Sequence, residues 1–325
     1  MVQQPVRDAR LLGDVADAGS VKALPREDAD RGTNEISTAI GRAASIIARV
    51  AALTGVTVAD LTRHLPGPFA SRELLRLGAR VVKIEPRGGD PMKTAAPSWY
   101  AALNEGKQIV DWDARESFLA EARVVLEGFR PGVFEQLDLQ TTPDAIVCSI
   151  TGFGADSQQA GHDLNYLGYA GVLADTAPAM PPIQIADLAA GGQTAVIEIL
   201  AALLEGGPKR IVVSMTHASH RFVAHRLAGD PSPRLLTGGA ACYRIYETAD
   251  GRHLTVAALE PKFWQRLCEL LERPDFEDKA FAPELPELDA LFRTRTLREW
   301  LELLEGEETC VGPVLSLEEA GSALP

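Results

Sequence analysis

The strongest constraint on this chain is an alternation of short apolar runs, which read as buried strands, with stretches at helical spacing. The first unit starts at Val56-Thr57-Val58-Ala59-Asp60-Leu61, a β-rich run leading into Pro66-Gly67-Pro68. A short helix carrying Leu74, Leu75 and Leu77 follows, and Gly78 stands where a left-handed C-cap belongs. Residues 80 to 84 read as a second strand and complete a β-α-β unit. Val124-Val125-Leu126, Ala145-Ile146-Val147 and residues 211 to 215 are further apolar runs of the kind buried in parallel sheets. Before the last of them, Asp187 opens a helix whose Val196, Ile199, Leu200 and Leu203 form one stripe, ended by Gly206-Gly207-Pro208.

The texture changes after about residue 220. Residues 243 to 248 and 253 to 258 are strand-like runs joined by Ala249-Asp250-Gly251-Arg252, a hairpin signal. Helical spacing returns over 261–271 and 296–304. The expected class is therefore α/β: a parallel, helix-flanked (Rossmann-like) sheet with a second, smaller α+β domain. The expected division is an N-terminal extension with one helix (1–54), a large domain (55–225) and a small one (226–325). The extension's helix, over 34–53, rests on Ile36, Ala39, Ile40, Ala43, Ile47 and Val50.

Composition now bounds the function. With 32 basic against 45 acidic residues the net charge is -13, which argues against nucleic acid as a partner because phosphate contacts need clustered Lys and Arg. It leaves room for a small anion met by local basic residues. The four cysteines have no CxxC or CxxH spacing, so they read as free thiols in a reducing compartment rather than zinc or redox sites. No apolar run approaches the ~20 residues of a membrane span, and the N-terminus carries no signal-peptide core. The expectation is a cytoplasmic protein with no membrane partner.

GxGxxG, GxxxxGK[ST], GxSxG and HExxH are all missing, so dinucleotide, Walker, Ser-hydrolase and zincin chemistry lose their best support, and no metal site is expected. What remains is polar residues in loops at strand and helix ends, where open α/β sheets place ligands. Gly161-His162-Asp163-Leu164-Asn165-Tyr166 follows the strand ending near Ile150. Asp187 sits at a helix N-terminus, where N–H groups and the macrodipole favour its anionic form. A histidine and a carboxylate can serve as two single-proton acids or bases. Spacing alone leaves open the plainer reading: a loop histidine, an N-cap aspartate and, at Glu260-Pro261, a helix-start pair.

A resemblance adds to this. Asp60-Leu61-Thr62-Arg63, Gly67-Pro68-Phe69, Leu77-Gly78-Ala79, Val82-Lys83-Ile84-Glu85-Pro86 and Gly88-Gly89-Asp90-Pro91 resemble the opening of family III CoA transferases. Leu103-Asn104-Glu105-Gly106-Lys107, Glu127-Gly128-Phe129-Arg130-Pro131-Gly132-Val133 and Ile150-Thr151-Gly152-Phe153-Gly154 are similar to its next blocks, in the same order. The His162 block, Gly238-Gly239-Ala240, Leu259-Glu260-Pro261-Lys262-Phe263 and Cys310-Val311-Gly312-Pro313-Val314 resemble the α-methylacyl-CoA racemase branch.

The resemblance implies racemisation at C2 of a 2-methylacyl-CoA by 1,1-proton transfer through an enolate. It makes His162 and Asp187 the catalytic pair, with Glu260 orienting the histidine. It implies backbone N–H groups near Asp163 for the enolate oxygen, and Arg130, then Arg87 and Lys83, for the CoA phosphates. No cofactor or metal is implied, since coenzyme A is part of the substrate. The implied assembly is a homodimer, interlocked so that the two domains at each site come from different chains. Two alternatives stay open: CoA transfer between carboxylic acids, with Asp187 as nucleophile, and a CoA-ester-binding protein without activity. The chain departs from the family pattern in ending at Pro325, soon after the Cys310 block, and in shortened stretches before Glu127 and at Gly206-Gly207-Pro208-Lys209-Arg210. One expectation is that the 34–53 helix replaces packing that the family's C-terminal tail supplies.

Overall fold

The computed structural model describes residues 51–229 and 232–323. The helix expected over 34–53 falls outside the described residues, apart from its last three.

Six strands, β1 (Thr57–Asp60), β2 (Arg80–Glu85), β3 (Gln108–Asp111), β4 (Val124–Glu127), β5 (Ile146–Thr151) and β6 (Lys209–Ser214), form one sheet in the order β3-β2-β1-β4-β5-β6. Every pairing is parallel. Among the described residues the α-helices of seven residues or more are α1 (Pro66–Arg76), α2 (Pro97–Asn104), α3 (Asp163–Tyr169), α4 (Thr194–Glu205), α5 (Met215–Phe222), α6 (Pro261–Leu270), α7 (Pro286–Phe292), α8 (Leu297–Leu303) and α9 (Leu317–Ala323).

Strand alternation sends successive side chains to opposite faces. Val58, Val124, Leu126, Ile146, Cys148 and Val213 form one core with Leu74 of α1, Leu167 of α3 and Ile199 of α4. Ala59, Val82, Ile84, Val125 and Val147 form another with Leu119, Ala122 and Phe134. Cover on both faces explains why β4 and β5 are buried at every position and lack a polar alternation. It also accounts for part of Ile185–Glu205, a stretch long and apolar enough by composition to span a membrane, although Ile197 and Leu204 are exposed. Here its Val196, Ile199 and Ala202 are buried against the sheet. The sequence gives no warning of β3, because at this sheet edge none of its four residues is buried and no apolar run was needed.

A second sheet, β7 (Tyr243–Glu247), β8 (His253–Ala257) and β9 (Val311–Pro313), is antiparallel throughout. The expected hairpin is present, with Glu247 opposite His253. α6, α7 and α8 pack a separate core on it, built on Tyr246, Trp264, Phe276, Phe292 and Trp300.

In the first sheet β1 lies beside β4, and the chain leaves these strands toward opposite edges. That divergence opens a crevice at their carboxyl ends, the place where such sheets bind ligands.

Candidate active site

Both strands at the crevice end in a buried carboxylate that pins the outgoing loop. Asp60 Oδ1 accepts from the Thr62 N–H at 2.9 Å, and Glu127 Oε2 accepts from the Phe129 N–H at 2.7 Å. The loops run close together, since a Cβ placed on Gly128 would lie 3.9 Å from Thr62 Cγ2. The β4 loop carries Arg130, which is exposed, and among the described residues no hydrogen bond or ion pair engages its side chain.

A cavity of about 290 Å³ is lined by His162, Asp163, Gln184 and Asp187 together with Leu65, from the loop after β1, and Trp99 among its apolar walls. His162 precedes the first residue of α3 with an extended backbone (φ -130°, ψ 177°). Its N–H donates to Asn165 Oδ1 at 3.1 Å, and its carbonyl accepts from the Asn165 N–H at 2.8 Å. The Tyr166 hydroxyl donates to the Gly161 carbonyl, and its ring stands edge-on to Phe153 at 5.2 Å. The loop holding the histidine is thereby fixed on both sides.

Asp187 is the third residue of a π-helical stretch, Ile185–Gln193, that runs directly into α4. Such wide turns in helices are frequent at functional sites. Its close seat against α1 and α5 depends on Gly191 and Gly192. A Cβ on Gly192 would come within 2.6 Å of Phe69 Cδ1, and one on Gly191 within 2.7 Å of Met215 Cγ.

The electrostatics differ from the sequence expectation. The Asp163 carboxylate caps the π-helical stretch, accepting from the Asp187 N–H at 2.8 Å and also from Ala186 N–H. The donors expected to favour an anionic Asp187 are therefore taken by its neighbour. Burial, followed by the charge of Asp163, pushes Asp187 up to about 7. Burial raises Asp163 as well, against the two N–H bonds that lower it. That shift brings Asp187 toward the neutral range, in which a side chain can act as either acid or base.

The remaining expected residues are dispersed. Arg87 is exposed and paired with Asp113 at 3.0 Å. Lys83 has no exposed surface and donates to the Thr62 carbonyl at 2.8 Å, with Asp90 Oδ2 at 3.1 Å. The phosphate role expected for it is corrected, because its ammonium is enclosed by the protein. Glu260 is exposed and precedes α6 in the second region, where its carbonyl accepts from the Phe263 N–H at 3.0 Å. Among the described residues no hydrogen bond or ion pair joins it to His162 or Asp187, and the cavity they line does not include it.

Trp99 and His64 were not singled out from the sequence. Trp99, 55% exposed on α2, stands out only as a large apolar residue left open to solvent beside the cavity. His64 adopts a left-handed backbone (φ 64°) next to Leu65. Burial, then Arg63, holds its imidazole below the usual range, with His162 among its electrostatic neighbours.

The pattern of CoA-transferase family III matches residues 53–323. The chain belongs to that family. It is 33% identical over 300 residues to the α-methylacyl-CoA racemase of Mus musculus, an alignment covering 82% of this chain and 79% of the relative. It is 26% identical to the succinyl-CoA:glutarate CoA-transferase of Homo sapiens, over 86% of this chain and 75% of that one. The crystal structure of Rv3272 from Mycobacterium tuberculosis superposes with a TM-score of 0.69 at 28% identity, covering 82% of this chain and 84% of the other. An acyl-CoA substrate fits this family, and the six-stranded parallel sheet with its small antiparallel partner belongs to the fold that superposes on the Rv3272 structure.

Proposed function

We propose that this family III member racemises C2 of a 2-methylacyl-CoA, with His162 and Asp187 as the two proton-transfer groups. The observation that carries the reading is their meeting in one cavity, with Asp187 pushed up to about 7. One group must accept a proton while the other holds one ready, and a carboxyl group that is half protonated near neutrality can do either. In one direction His162 removes the C2 proton, the electron pair moves onto the thioester carbonyl, and Asp187 returns a proton from the opposite face. The reverse direction exchanges their roles. The enolate oxygen needs a donor as charge develops, and the N–H of Asp163, which opens α3 beside the cavity, is the group we assign.

Arg130, exposed and without a partner among the described residues, supplies a phosphate contact, with Arg87 the weaker candidate because Asp113 already holds it. Coenzyme A enters as part of the substrate, and no other cofactor is needed for this chemistry. We assign Glu260 to His162 through a second copy of the chain, since within one chain it stands apart.

Asp187 in the cavity also supports a second reading, CoA transfer through an aspartyl intermediate, CoA transfer being the activity for which the human relative is named. The test starts from one enantiomer of a 2-methylacyl-CoA and follows its optical composition, beside an assay of CoA transfer to a free carboxylic acid. Conversion to the racemate, lost in His162→Ala, supports the first reading. Transfer that survives His162→Ala and fails in Asp187→Asn supports the second.

A further inference from the structure

Four buried charges lie beneath the cavity walls and have no part in the proposed chemistry. Asp60, Lys83, Asp90 and Lys107 are 0%, 0%, 4% and 8% exposed. Lys107 Nζ donates to the Pro68 carbonyl at 2.9 Å and to Asn104 Oδ1 at 2.9 Å, with Asp60 Oδ2 at 3.4 Å. Lys83 Nζ donates to the Thr62 carbonyl at 2.8 Å and pairs with Asp90 at 3.1 Å. Asp60 is completed by the Thr62 N–H and by the Thr62 and Ser71 hydroxyls. Burial would raise Asp60, yet Lys107, Lys83 and these hydroxyls together hold it below its usual value, so it stays a carboxylate.

The bonds run between different parts of the chain. Thr62 and Pro68 flank Leu65, one wall of the cavity. Asn104 closes α2, the helix that carries Trp99, another wall. Asp90 opens the segment leading to that helix and accepts from the Met92 N–H at 2.9 Å. Each ammonium therefore ties the Leu65 side to the Trp99 side, Lys107 from Pro68 to Asn104 and Lys83 from Thr62 to Asp90. His162 and Asp187 stand on other elements, α3 and the π-helical stretch.

We propose that Lys107 and Lys83, anchored by Asp60 and Asp90, are positioning residues that fix the separation of the Leu65 and Trp99 walls, and with it the cavity's hold on an acyl group. Ammonium groups suit this task, because each offers three donors and, in a dry interior, loses heavily if a bond is broken. The kinetic consequence rests on the acyl-thioester reading, whereas the wall geometry does not.

The test uses the full chain with Lys107→Met and the milder Asn104→Ala, which removes the Lys107 bond at the α2 end, together with the Asn104 Nδ2 bond to the Tyr100 carbonyl, and leaves every charge paired. Trp99 emission is taken as the difference between each protein and its Trp99→Phe counterpart, without substrate. Both variants should shift that emission to longer wavelength. KM for a 2-methylacyl-CoA should rise about tenfold in Lys107→Met and less in Asn104→Ala, with kcat within about twofold of wild type. Wild-type Trp99 emission in a cooperatively folded Asn104→Ala, with KM unchanged, would overturn the proposal. If no thioester is turned over by any form, the racemase reading fails while the Trp99 emission still decides this one.

Discussion

The two sheets bury different kinds of side chain. The parallel-sheet region encloses six charged residues, Asp60, Lys83, Glu85, Asp90, Lys107 and Glu127. Among the described residues the three-stranded region encloses none, and its buried polar residues are Thr248 and Thr309. Its core relies on aromatic rings whose polar tips are satisfied by carbonyls: Trp264 Nε1 donates to Phe276 at 3.0 Å, Trp300 Nε1 to Phe292 at 2.8 Å, and the Tyr246 hydroxyl to Ala241 at 2.7 Å. Burying charge is costly unless it is paired and hydrogen-bonded. The first region bears that cost where its strands end at the crevice, and there the charges shape loops. The second is an apolar-aromatic body that presents Glu260 on its surface.

Substitutions in the two regions should therefore fail differently. His162→Ala should lower kcat/KM for racemisation by about 10²–10⁴-fold with little change in melting temperature, as loss of a general base does. Steady-state kinetics beside calorimetry checks both halves. Trp300→Ala should remove about 3–5 kcal/mol of stability, as truncating a buried aromatic does, measured by urea unfolding. An equal loss of activity in the cooperatively folded protein would break the contrast.

Asp187→Asn should do the opposite to stability. A carboxyl group raised from 3.8 to about 7 leaves the folded state short of charge relative to the unfolded one. Its stabilising contribution is whole below about pH 3.8, declines as pH rises to about 7 and is flat beyond. At pH 8 the variant should be more stable by about 1–3 kcal/mol, less than the full shift implies because the group is partly exposed. The gain should vanish near pH 4, as thermal melts at the two pH values would show. Arg130→Ala is the smallest effect, a several-fold rise in KM for the CoA thioester at unchanged melting temperature, larger at low ionic strength.

The same contrast explains what could be read in advance. β1, β2, β4 and β5 were legible because strands buried on both faces must be continuous apolar runs. Edge strand β6 was legible because Ile211-Val212-Val213 is apolar, although only Val213 of the strand is buried, and the β7–β8 hairpin because Asp250-Gly251 marks its turn. β3 and β9 lie at sheet edges, where burial writes no such pattern. Lys83 was misread as a phosphate ligand, although its place in Val81-Val82-Lys83-Ile84, within a strand flanked on both sides, already required a buried partner. The charge state of Asp187 was misread because the rival for its N–H groups, Asp163, lies 24 residues earlier in sequence. His162 and Asp187 came from a motif, and their shared cavity is a property of the fold.

The measurement closest to the central claim follows C2 deuterium uptake separately for each enantiomer of a 2-methylacyl-CoA in deuterated water, with wild type, His162→Ala and Asp187→Asn. Two bases on opposite faces predict uptake with inversion from both enantiomers in the wild type. Each variant should keep uptake from one enantiomer only, a different one in each case, and neither should invert it. Loss of uptake from the same enantiomer in both variants, or inversion surviving in either, would contradict the account.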